Sequence, residues 1–562
     1  MLDENLLNAV TPTAPKSPSK HPRLISLDVV RGLTIAVMVL VDEIGAAYPS
    51  VNHSPWNNIT FADFVMPWFL FMVGTSAAFS LRKFKQDTAG RWKGTQFVAL
   101  RAFKLYGLGV LLQGGGWFGD PGQYAYGYNM ATIRWCGILN RIGFAYFIVG
   151  LMEIWVGEIQ TDPKIYHRRH DNTSYTTCAQ KNCHNSHLSI FVKHGKKWTI
   201  AFVFVFLHLI LTFTTYVPSW SSKWGHNPNA TKISLNGILQ PPRAVLLHEP
   251  FTIACNNRGH HDTPQCSAAG YYDRLLFGQN HLGQWMSTRL AVCSTCSPGA
   301  PDSYNHTNTN TTAAGPDCEY KYDQSGPTAG PRWCFANMYD PEGALATVPT
   351  VMSAWLGTHF GRVLKHDASW NSKTIMVHWS VVSSTLIALG LLIHCTFFKM
   401  NKQLWSTSYL FFMAGTCGMC LTIVYGLIDA PAAAPSSSHR SGGGSGGPPL
   451  SSSTSVPRWS KAMKLLLSPL QYMGMNAILI FFWHGTAESV LDGAYWQTPK
   501  MGGGYEELAP QYLFGERQGW FNRVVLGWMD PEPAQLVYVL LKIGCYAVAM
   551  WYCYRVGYFW KI

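Results

Sequence analysis

The sequence predicts an all-α protein, a polytopic transmembrane helical bundle with about ten spans and one Cys-rich extramembrane loop. Three observations predict this fold class. Charged residues make up 13% of the 562 residues, against roughly 25% in a typical soluble domain. The mean hydropathy is only +0.03 although 48% of the residues are hydrophobic, so the apolar residues are gathered into segments. About ten of these segments approach the roughly 20 residues that a spanning helix needs.

The predicted spans follow one another along the whole chain. They run over 24–42, 61–81, 96–113, 135–156, 198–217, 343–362, 375–397, 406–428, 464–490 and 534–556. Residues 1–23 contain early acidic residues and no apolar stretch, which is not the pattern of a cleavable signal peptide. We expect this segment to be a disordered cytoplasmic tail. Residues 429–463 include a Gly/Ser/Pro-rich stretch and are predicted to be a flexible cytoplasmic linker.

The orientation of the bundle follows from its basic residues. Lys and Arg concentrate between spans two and three, between spans four and five, and after span six. The positive-inside rule therefore places these loops and both termini in the cytoplasm, and it accounts for the net charge of +13 without nucleic-acid binding. Lys399 and Lys402 lie on the wrong side in a short turn, and we interpret them as snorkelling lysines.

The segment 218–342 is predicted to be a large lumenal loop between the first five spans (24–217) and spans six to eight (343–428). The last two spans, with a further lumenal loop, occupy 464–562. Loop 218–342 holds six cysteines and three N-glycosylation sequons: Cys255, Cys266, Cys293, Cys296, Cys318, Cys334, Asn229, Asn305 and Asn310. An even cysteine count with sequons is typical of an oxidising compartment. The spacing leaves the disulfide pairing open.

Polar and titratable residues inside spans are costly and indicate functional sites. Those predicted to lie in the lumenal half are Asp42, Glu43, His53, Asn57, Asp63, Arg134, Arg141, Asp340, Glu342, Asn476 and His484. Simpler interpretations exist: Asp63 and Glu342 could cap helices, and Arg134 could anchor a helix end. We predict no metal site, because the spacing of Cys178, Cys183, His184 and His187 fits no standard zinc pattern.

Five blocks of the sequence resemble one known family in its own order. They are 26–76 (opening SLDVVRGLTIAVMVLVDEIG and containing NHSPWNNITFADF), 133–153 (IRWCGILNRIGFAYFIVGLME), 339–364 (YDPEGALATVPTVMSAWLGTHFGRVL), 401–415 (NKQLWSTSYLFFMAG) and 469–485 (PLQYMGMNAILIFFWHG). The chain resembles the catalytic domain of heparan-alpha-glucosaminide N-acetyltransferases, in a plant- or bacterial-like form without the lumenal N-terminal domain.

The resemblance implies an enzyme that moves acetyl from cytosolic acetyl-CoA to the amino group of a terminal glucosamine on a heparan-type glycan. The catalytic histidine of the family falls on His53. The position at which the family often carries an assisting asparagine is occupied by Asp42, and we predict that Asp42 orients the imidazole. The implied partners are acetyl-CoA as co-substrate, the glycan and the lipid bilayer. A homodimer is compatible with the sequence.

Amine acetylation needs a base and a donor to the tetrahedral oxyanion. We predict His53 as base or acetyl carrier, Asn57, Arg141 or Asn476 as donors, and Asp63, Arg134 and His484 as further substrate-site candidates. Two alternatives stay open, an O-acyltransferase acting on a glycan and a transporter of a small sugar or anion. A lysosomal or vacuolar membrane, another endomembrane and the plasma membrane all fit the sequence.

Overall fold

A computed structural model describes residues 24–560 apart from several gaps. These are 46–47, 49, 55, 85–86, 115, 119–124, 160–186, 226–233, 236–237, 240–244, 259–262, 284–336, 365–369, 433–456, 492–495, 500–504 and 509–530. The predicted tail, most of the linker, the three sequons, Cys178, Cys183, His184 and four of the six loop cysteines lie outside the described residues.

The described residues are mostly helical. In chain order the helices are α1 (Ile25–Ile44), α2 (Val65–Ser80), α3 (Thr88–Gln113), α4 (Ile138–Trp155), α5 (Ser189–Lys193), α6 (Gly195–Thr214), α7 (Ala268–Leu276), α8 (Ala344–Thr347), α9 (Thr350–Val363), α10 (Ser372–Thr396), α11 (Thr407–Ile428), α12 (Arg458–Leu466), α13 (Ser468–Met475), α14 (Ala477–Leu491) and α15 (Pro531–Arg555). A 3₁₀ turn, Phe61–Phe64, leads directly into α2. The all-α fold class is confirmed.

Short antiparallel strand pairs lie outside the helices. They are β1 (Gly116–Phe118) with β2 (Ala125–Gly127), β3 (Tyr216–Val217) with β8 (Asn257–Arg258), β4 (Trp220–Gly225) with β7 (Val245–Ile253), β5 (Ser234–Leu235) with β6 (Ile238–Leu239), and β9 (Trp496–Pro499) with β10 (Tyr505–Leu508). Two of these pairs, β4 with β7 and β5 with β6, lie in the predicted lumenal loop, and β8 of that loop pairs with β3 just before it. The loop therefore has secondary structure of its own.

Within the described part of the chain, seven helices are long and apolar enough to cross a membrane. They are Phe61–Ser80, α3, α4, α6, α10, α11 and the Leu536–Arg555 part of α15. The chain is thus a multi-pass membrane protein. Helix α1 carries Asp28, Arg31, Asp42 and Glu43 in its sequence, and much of its surface is buried inside the bundle. Helices overlap all ten predicted spans, but the number that crosses the bilayer stays a prediction.

Two predicted spans are divided in the structure. The segment predicted over 464–490 consists of α12, α13 and α14, with breaks at Leu467 and Asn476. Pro469 lies in the first turn of α13, where its missing N–H is tolerated but where it cannot continue a preceding helix. The span predicted over 343–362 is likewise divided into α8 and α9 on either side of Pro349.

Glycines allow two helix pairs in the bundle core to approach closely. A Cβ on Gly32 of α1 would collide with the carbonyl oxygen of Leu470 in α13, and one on Gly474 of α13 would collide with that of Asp28 in α1. Gly74 of α2 and Gly357 of α9 make the same reciprocal contact. Small residues at helix crossings are a common way of packing helices in membranes, since the backbones themselves come into contact.

The predicted lumenal loop is joined to the bundle by a small hydrophobic cluster. Cys255 and Cys266 form a disulfide in this cluster. Trp56, from the segment between α1 and α2, packs in the same cluster and is buried. We call the end of the bundle that carries Trp56 and this disulfide the His53 end.

Candidate functional site

His53 and Asp63 form a hydrogen-bonded pair at the His53 end. His53 Nδ1 lies 2.8 Å from Asp63 Oδ1. The His53 side chain is 38% exposed, whereas the Asp63 side chain is fully buried. A carboxylate only accepts hydrogen bonds, so the shared hydrogen lies on Nδ1 and the lone pair on Nε2. This arrangement suits an imidazole that acts as a base or a nucleophile through Nε2.

Local structure holds Asp63 in place. Its Oδ2 atom accepts hydrogen bonds from the backbone N–H groups of Thr60 (2.9 Å) and Ser54 (3.1 Å). Thr60 and Asp63 form a capping box at the start of the 3₁₀ turn before α2. The helix-capping interpretation of Asp63 is therefore correct, and the same carboxylate also orients His53. Because both oxygens are engaged, the imidazole faces an acceptor fixed by the backbone.

Lys402 is the third member of this group, and the sequence analysis missed it. Its Nζ atom lies 3.0 Å from His53 Nδ1, 3.1 Å from Nε2 and 3.8 Å from Asp63 Oδ1. The lysine is buried rather than snorkelling toward water. Burial lowers the pKa of its ammonium group below the ordinary value, while the carboxylates of Asp63 and Glu342 oppose part of that change.

The turn that carries Lys402 is attached to the segment after His53. Asn57 and Asn401 form an antiparallel backbone bridge, and Asn401 Nδ2 donates to Asn57 Oδ1 at 3.3 Å. Asn58 N–H donates to the Met400 carbonyl at 2.8 Å. Asn57 Nδ2 is buried and has no hydrogen-bond partner among the described residues. The predicted role of Asn57 as a donor is compatible with this placement, since the amide nitrogen has hydrogens available.

Arg141 borders the same group from α4. It is buried, its Nη2 donates to the Pro341 carbonyl at 2.7 Å, and its guanidinium lies 4.9 Å from the centre of the Trp405 ring. Tyr409 is hydrogen-bonded to the same group, because its hydroxyl donates to the backbone carbonyl of Asp63 at 2.6 Å. The structure therefore brings four of the candidate residues, His53, Asn57, Asp63 and Arg141, into one region.

Arg134 holds the end of the predicted lumenal loop. Its guanidinium pairs with Asp340 at 2.6 and 2.7 Å and also with Glu342, all three side chains being buried. Gly283 N–H donates to Asp340 Oδ2 at 2.7 Å, and Asn337 Nδ2 donates to the carbonyl oxygen of Gln279 at 2.7 Å. Residues on both sides of 284–336 thus meet at one place. Arg134 is a structural ion-pair partner here, not a free substrate-binding cation.

Asp42 does not contact His53, which corrects the predicted pairing. Its carboxylate lies 3.6 Å from His484 Nε2, and Glu43 lies 3.8 Å from His484 Nδ1. Glu43 also pairs with Lys542 of α15. Asp42 is at the end of α1, and its position on that helix directs it to α14, whereas Asp63 follows the loop that carries His53. The Asp42 charge still reaches Lys402 electrostatically.

Asn476 is also placed differently from the prediction. It lies at the break between α13 and α14, where its Nδ2 donates to the Tyr558 carbonyl at 3.1 Å. Its Oδ1 accepts a hydrogen bond from the backbone N–H of Trp560, also at 3.1 Å. Both polar atoms of the side chain are therefore used to hold the segment after α15. Asn476 stabilises the helix break and is not placed as an oxyanion donor.

No group of three or more His, Cys, Asp or Glu residues in the described ranges could hold a metal ion. The His53 imidazole, the Asp63 carboxylate and the Lys402 ammonium group provide an acceptor and donors for protons. The site is thus suited to acid–base or nucleophilic chemistry on a carbonyl compound. Lys402 could have been found from sequence, since it is the lysine in the block 401–415 and it violates the positive-inside rule.

The family model and the curated relatives that match this chain carry the same description. The family described as "Heparan-alpha-glucosaminide N-acetyltransferase, catalytic" matches residues 23–157, which include His53, Asp63 and Arg141. The chain is 24% identical to the human heparan-alpha-glucosaminide N-acetyltransferase over 474 residues, covering 83% of this chain and 53% of the human protein.

The mouse heparan-alpha-glucosaminide N-acetyltransferase is also 24% identical, over 478 residues that cover 84% of this chain and 54% of the mouse protein. The chain spans about half the length of these curated relatives. The matched region contains the His53–Asp63 pair, and the longer alignments extend across most of the bundle. The family match over 23–157 and the two longer alignments therefore support the heparan-alpha-glucosaminide N-acetyltransferase family for this chain.

Proposed function

We propose that this protein transfers an acetyl group from acetyl-CoA to the amino group of a terminal glucosamine, as found on a heparan-type glycan. The observation that carries the proposal is the accessible His53 imidazole, hydrogen-bonded to buried Asp63 and adjacent to Lys402. The names of the relatives supply the reaction class and the acceptor. In this proposal His53 is the base and Lys402 is the cation that such a reaction needs.

In this mechanism Asp63 keeps the hydrogen on Nδ1, so that Nε2 is the reactive nitrogen. Either Nε2 removes a proton from the sugar amine as the amine attacks the thioester, or Nε2 attacks first and carries the acetyl as an acyl-imidazole. In both routes a tetrahedral oxyanion forms. The Lys402 ammonium and the unused Asn57 amide N–H are two donors in this region that could stabilise it.

Lys402 also regulates access to Nε2 in this arrangement. At 3.1 Å its ammonium group can donate to the Nε2 lone pair, which would occupy the reactive nitrogen. A carbonyl oxygen entering the site competes for that N–H. As the ammonium turns to the developing oxyanion, Nε2 becomes free to act. The same hydrogen thus serves the resting site and the transition state at different times.

We propose that the acceptor is acetylated on the lumenal side while acetyl-CoA comes from the cytosol. The disulfide supports this orientation, because Cys255 and Cys266 lie in one hydrophobic cluster with Trp56, three residues after His53. Disulfides persist in oxidising compartments, so the His53 end would face a lumen or the exterior. A lysosomal or vacuolar membrane, another endomembrane or the plasma membrane provides such a side.

Transfer can be tested with the purified chain in sealed liposomes. Acetyl-CoA is supplied on one side and glucosamine on the other, and both thiol release and N-acetylglucosamine are measured. We expect both products to appear together and only when glucosamine is present. Sugars with only hydroxyl groups serve as the control, and acetylation of these in place of glucosamine would favour the O-acyltransferase.

The transporter alternative predicts discontinuous helices, and the break at Asn476 interrupts one predicted span. However, both polar atoms of the Asn476 side chain bind the backbone of Tyr558 and Trp560. This break is thus filled by the chain itself. Uptake of unmodified glucosamine into liposomes, without consumption of acetyl-CoA, is the result that would support transport.

A further inference from the structure

Lys402 places an amine of the protein in the site where the acetyl group would be transferred to the sugar amine. Its Nζ atom is 3.1 Å from His53 Nε2, the nitrogen that would carry or approach the acetyl carbonyl. Reacting atoms in productive complexes lie about 3–3.5 Å apart. The ε-amine is therefore within attacking distance of any acetyl group held at Nε2. A protein that acetylates amines must prevent its own amine from taking the place of the substrate amine.

Protonation of Lys402 is what prevents this reaction, because an ammonium nitrogen has no lone pair. The charged groups that act on Lys402 come from several elements: Asp63, Glu342 and Asp42 favour the ammonium form, and Arg141 disfavours it. His53 lies within hydrogen-bond distance and can exchange a proton with it. Burial also disfavours the charged form. The pKa of the Lys402 ammonium is therefore below its ordinary value, so this amine loses its proton more readily than an exposed lysine does.

We propose that Lys402 is an internal acetyl acceptor, which becomes Nε-acetylated when acetyl-CoA is present and no sugar amine occupies the site. This inference rests on the proposed acetyl transfer from acetyl-CoA. The neutral Nζ attacks the acetyl carbonyl carbon, and a carbon–nitrogen bond forms. The bond to His53 Nε2, or to the CoA sulfur, breaks and that atom keeps the electron pair. The nitrogen releases its extra proton to His53 or to the thiolate.

The product is a stable amide, so the modification is not reversed by the next sugar. Acetylation removes the positive charge 3.8 Å from Asp63 and the donor available to the oxyanion. The protein therefore inactivates itself when the donor is abundant and the acceptor is scarce. Sugar bound at His53 protects Lys402, because it takes the acetyl group first.

The test incubates the purified full-length protein with isotopically labelled acetyl-CoA, with and without excess glucosamine, and maps acetylated lysines by peptide mass spectrometry. We expect label at Lys402 that increases with pH and is suppressed by glucosamine. Lys399, in the same turn, is the internal control and should stay unlabelled. Residual sugar acetylation should fall in proportion to the label on Lys402.

Variants at the same position separate charge from nucleophilicity. Lys402→Arg keeps a cation and should prevent both the label and the time-dependent inactivation, although its initial turnover is reduced. Lys402→Gln is neutral, like acetyl-lysine, and should be far less active than Lys402→Arg. A preparation that acetylates glucosamine but never labels Lys402, at any pH, overturns this inference alone. A preparation that does neither contradicts both this inference and the proposed function, while label without sugar transfer contradicts only the proposed acceptor.

Discussion

Replacing Asp63 with asparagine should reduce acetyl transfer far more than the same change at Asp42. Asp63 fixes the hydrogen on His53 Nδ1, whereas Asp42 pairs with His484. Loss of a positioned base typically costs about 10²–10⁴-fold in rate, and we expect a loss in this range for Asp63→Asn and an undetectable rate for His53→Ala. Turnover of acetyl-CoA in variants matched for melting temperature is the measurement.

Asp42→Asn and His484→Phe are the controls for this prediction. Each removes one partner of the pair between α1 and α14 and leaves the hydrogen bond between His53 and Asp63 in place. A larger loss of rate in Asp42→Asn than in Asp63→Asn would show that the carboxylate of α1, and not that of the capping box, supports the histidine.

Asp273 gives the molecule a dependence of stability on pH at the His53 end. Burial, followed by the nearby charge of Asp340, raises the pKa of the Asp273 carboxyl from 3.8 to about 7. The folded state therefore holds a proton that the unfolded chain has lost, and the free energy of unfolding falls as the pH rises from about 4 to about 7. Thermal unfolding of the wild type and of Asp273→Asn, compared between pH 5 and pH 8, measures this contribution.

The melting temperature should fall more from pH 5 to pH 8 in the wild type than in Asp273→Asn, because asparagine does not titrate. The variant should also be less stable at pH 5. Its amide cannot accept hydrogen bonds from both Asp340 N–H and Ala344 N–H through two oxygens, as the carboxyl group does. Parallel curves for the two proteins would mean that Asp273 titrates normally.

Single residues of the site were predictable where a family block or a local rule singled them out. His53, Asn57, Asp63 and Arg141 were named for this reason. The partner of His53 was not predictable, because Asp42 and Asp63 lie at similar distances along the chain on either side of it. Lys402 was missed, because it is far from His53 in sequence and only the packing of α11 against α2 and the bridge between Asn57 and Asn401 bring it there.

At the level of helices, the crossing of α1 and α13 should not tolerate a side chain at Gly474. A methyl group there would meet the carbonyl oxygen of Asp28, so the two helices would have to separate. We expect Gly474→Ala to lower the melting temperature clearly, although alanine is intrinsically about 1 kcal/mol better than glycine in a helix. Thermal stability in detergent is the measurement.

Gly107 of α3 is the matched control, because no atom lies within 4 Å of a Cβ built there. Gly107→Ala should therefore leave the melting temperature unchanged or raise it. If both substitutions behave alike, the close crossing does not contribute to stability. Hydropathy located the helices, since a helix overlaps each predicted span. It did not predict the breaks near Pro349 and Pro469, because each segment of about 20 apolar residues was interpreted as one continuous helix.

At the scale of the whole molecule, the bundle and the extramembrane loop depend on one another. The loop 218–342 leaves α6 and returns at α8, and its cluster with Trp56 lies beside the segment that carries His53. Hydropathy separated this loop from the spans, and the side of the membrane on which it lies stays a prediction. Hydropathy and cysteine content could not predict that the loop closes around Arg134, because that ion pair joins residues more than 200 positions apart.

Gly283 donates to Asp340 and Asn337 donates to Gln279, so the residues that flank 284–336 lie close together. A stretch whose ends already touch can be exchanged for a short turn at small entropic cost. The described disulfide joins Cys255 and Cys266, so excision of 284–336 leaves this bond in place.

A chain spliced from Gly283 to Asn337 through a few glycines should insert, fold and keep the His53 geometry, measured by its melting temperature and acetyl-CoA turnover. Failure to fold would mean that the excised stretch supports the bundle. A longer segment could also be inserted between Gly283 and Asn337, because neither of these residues would have to move. The sequence between Gly283 and Asn337 can therefore vary while the reacting groups keep their positions.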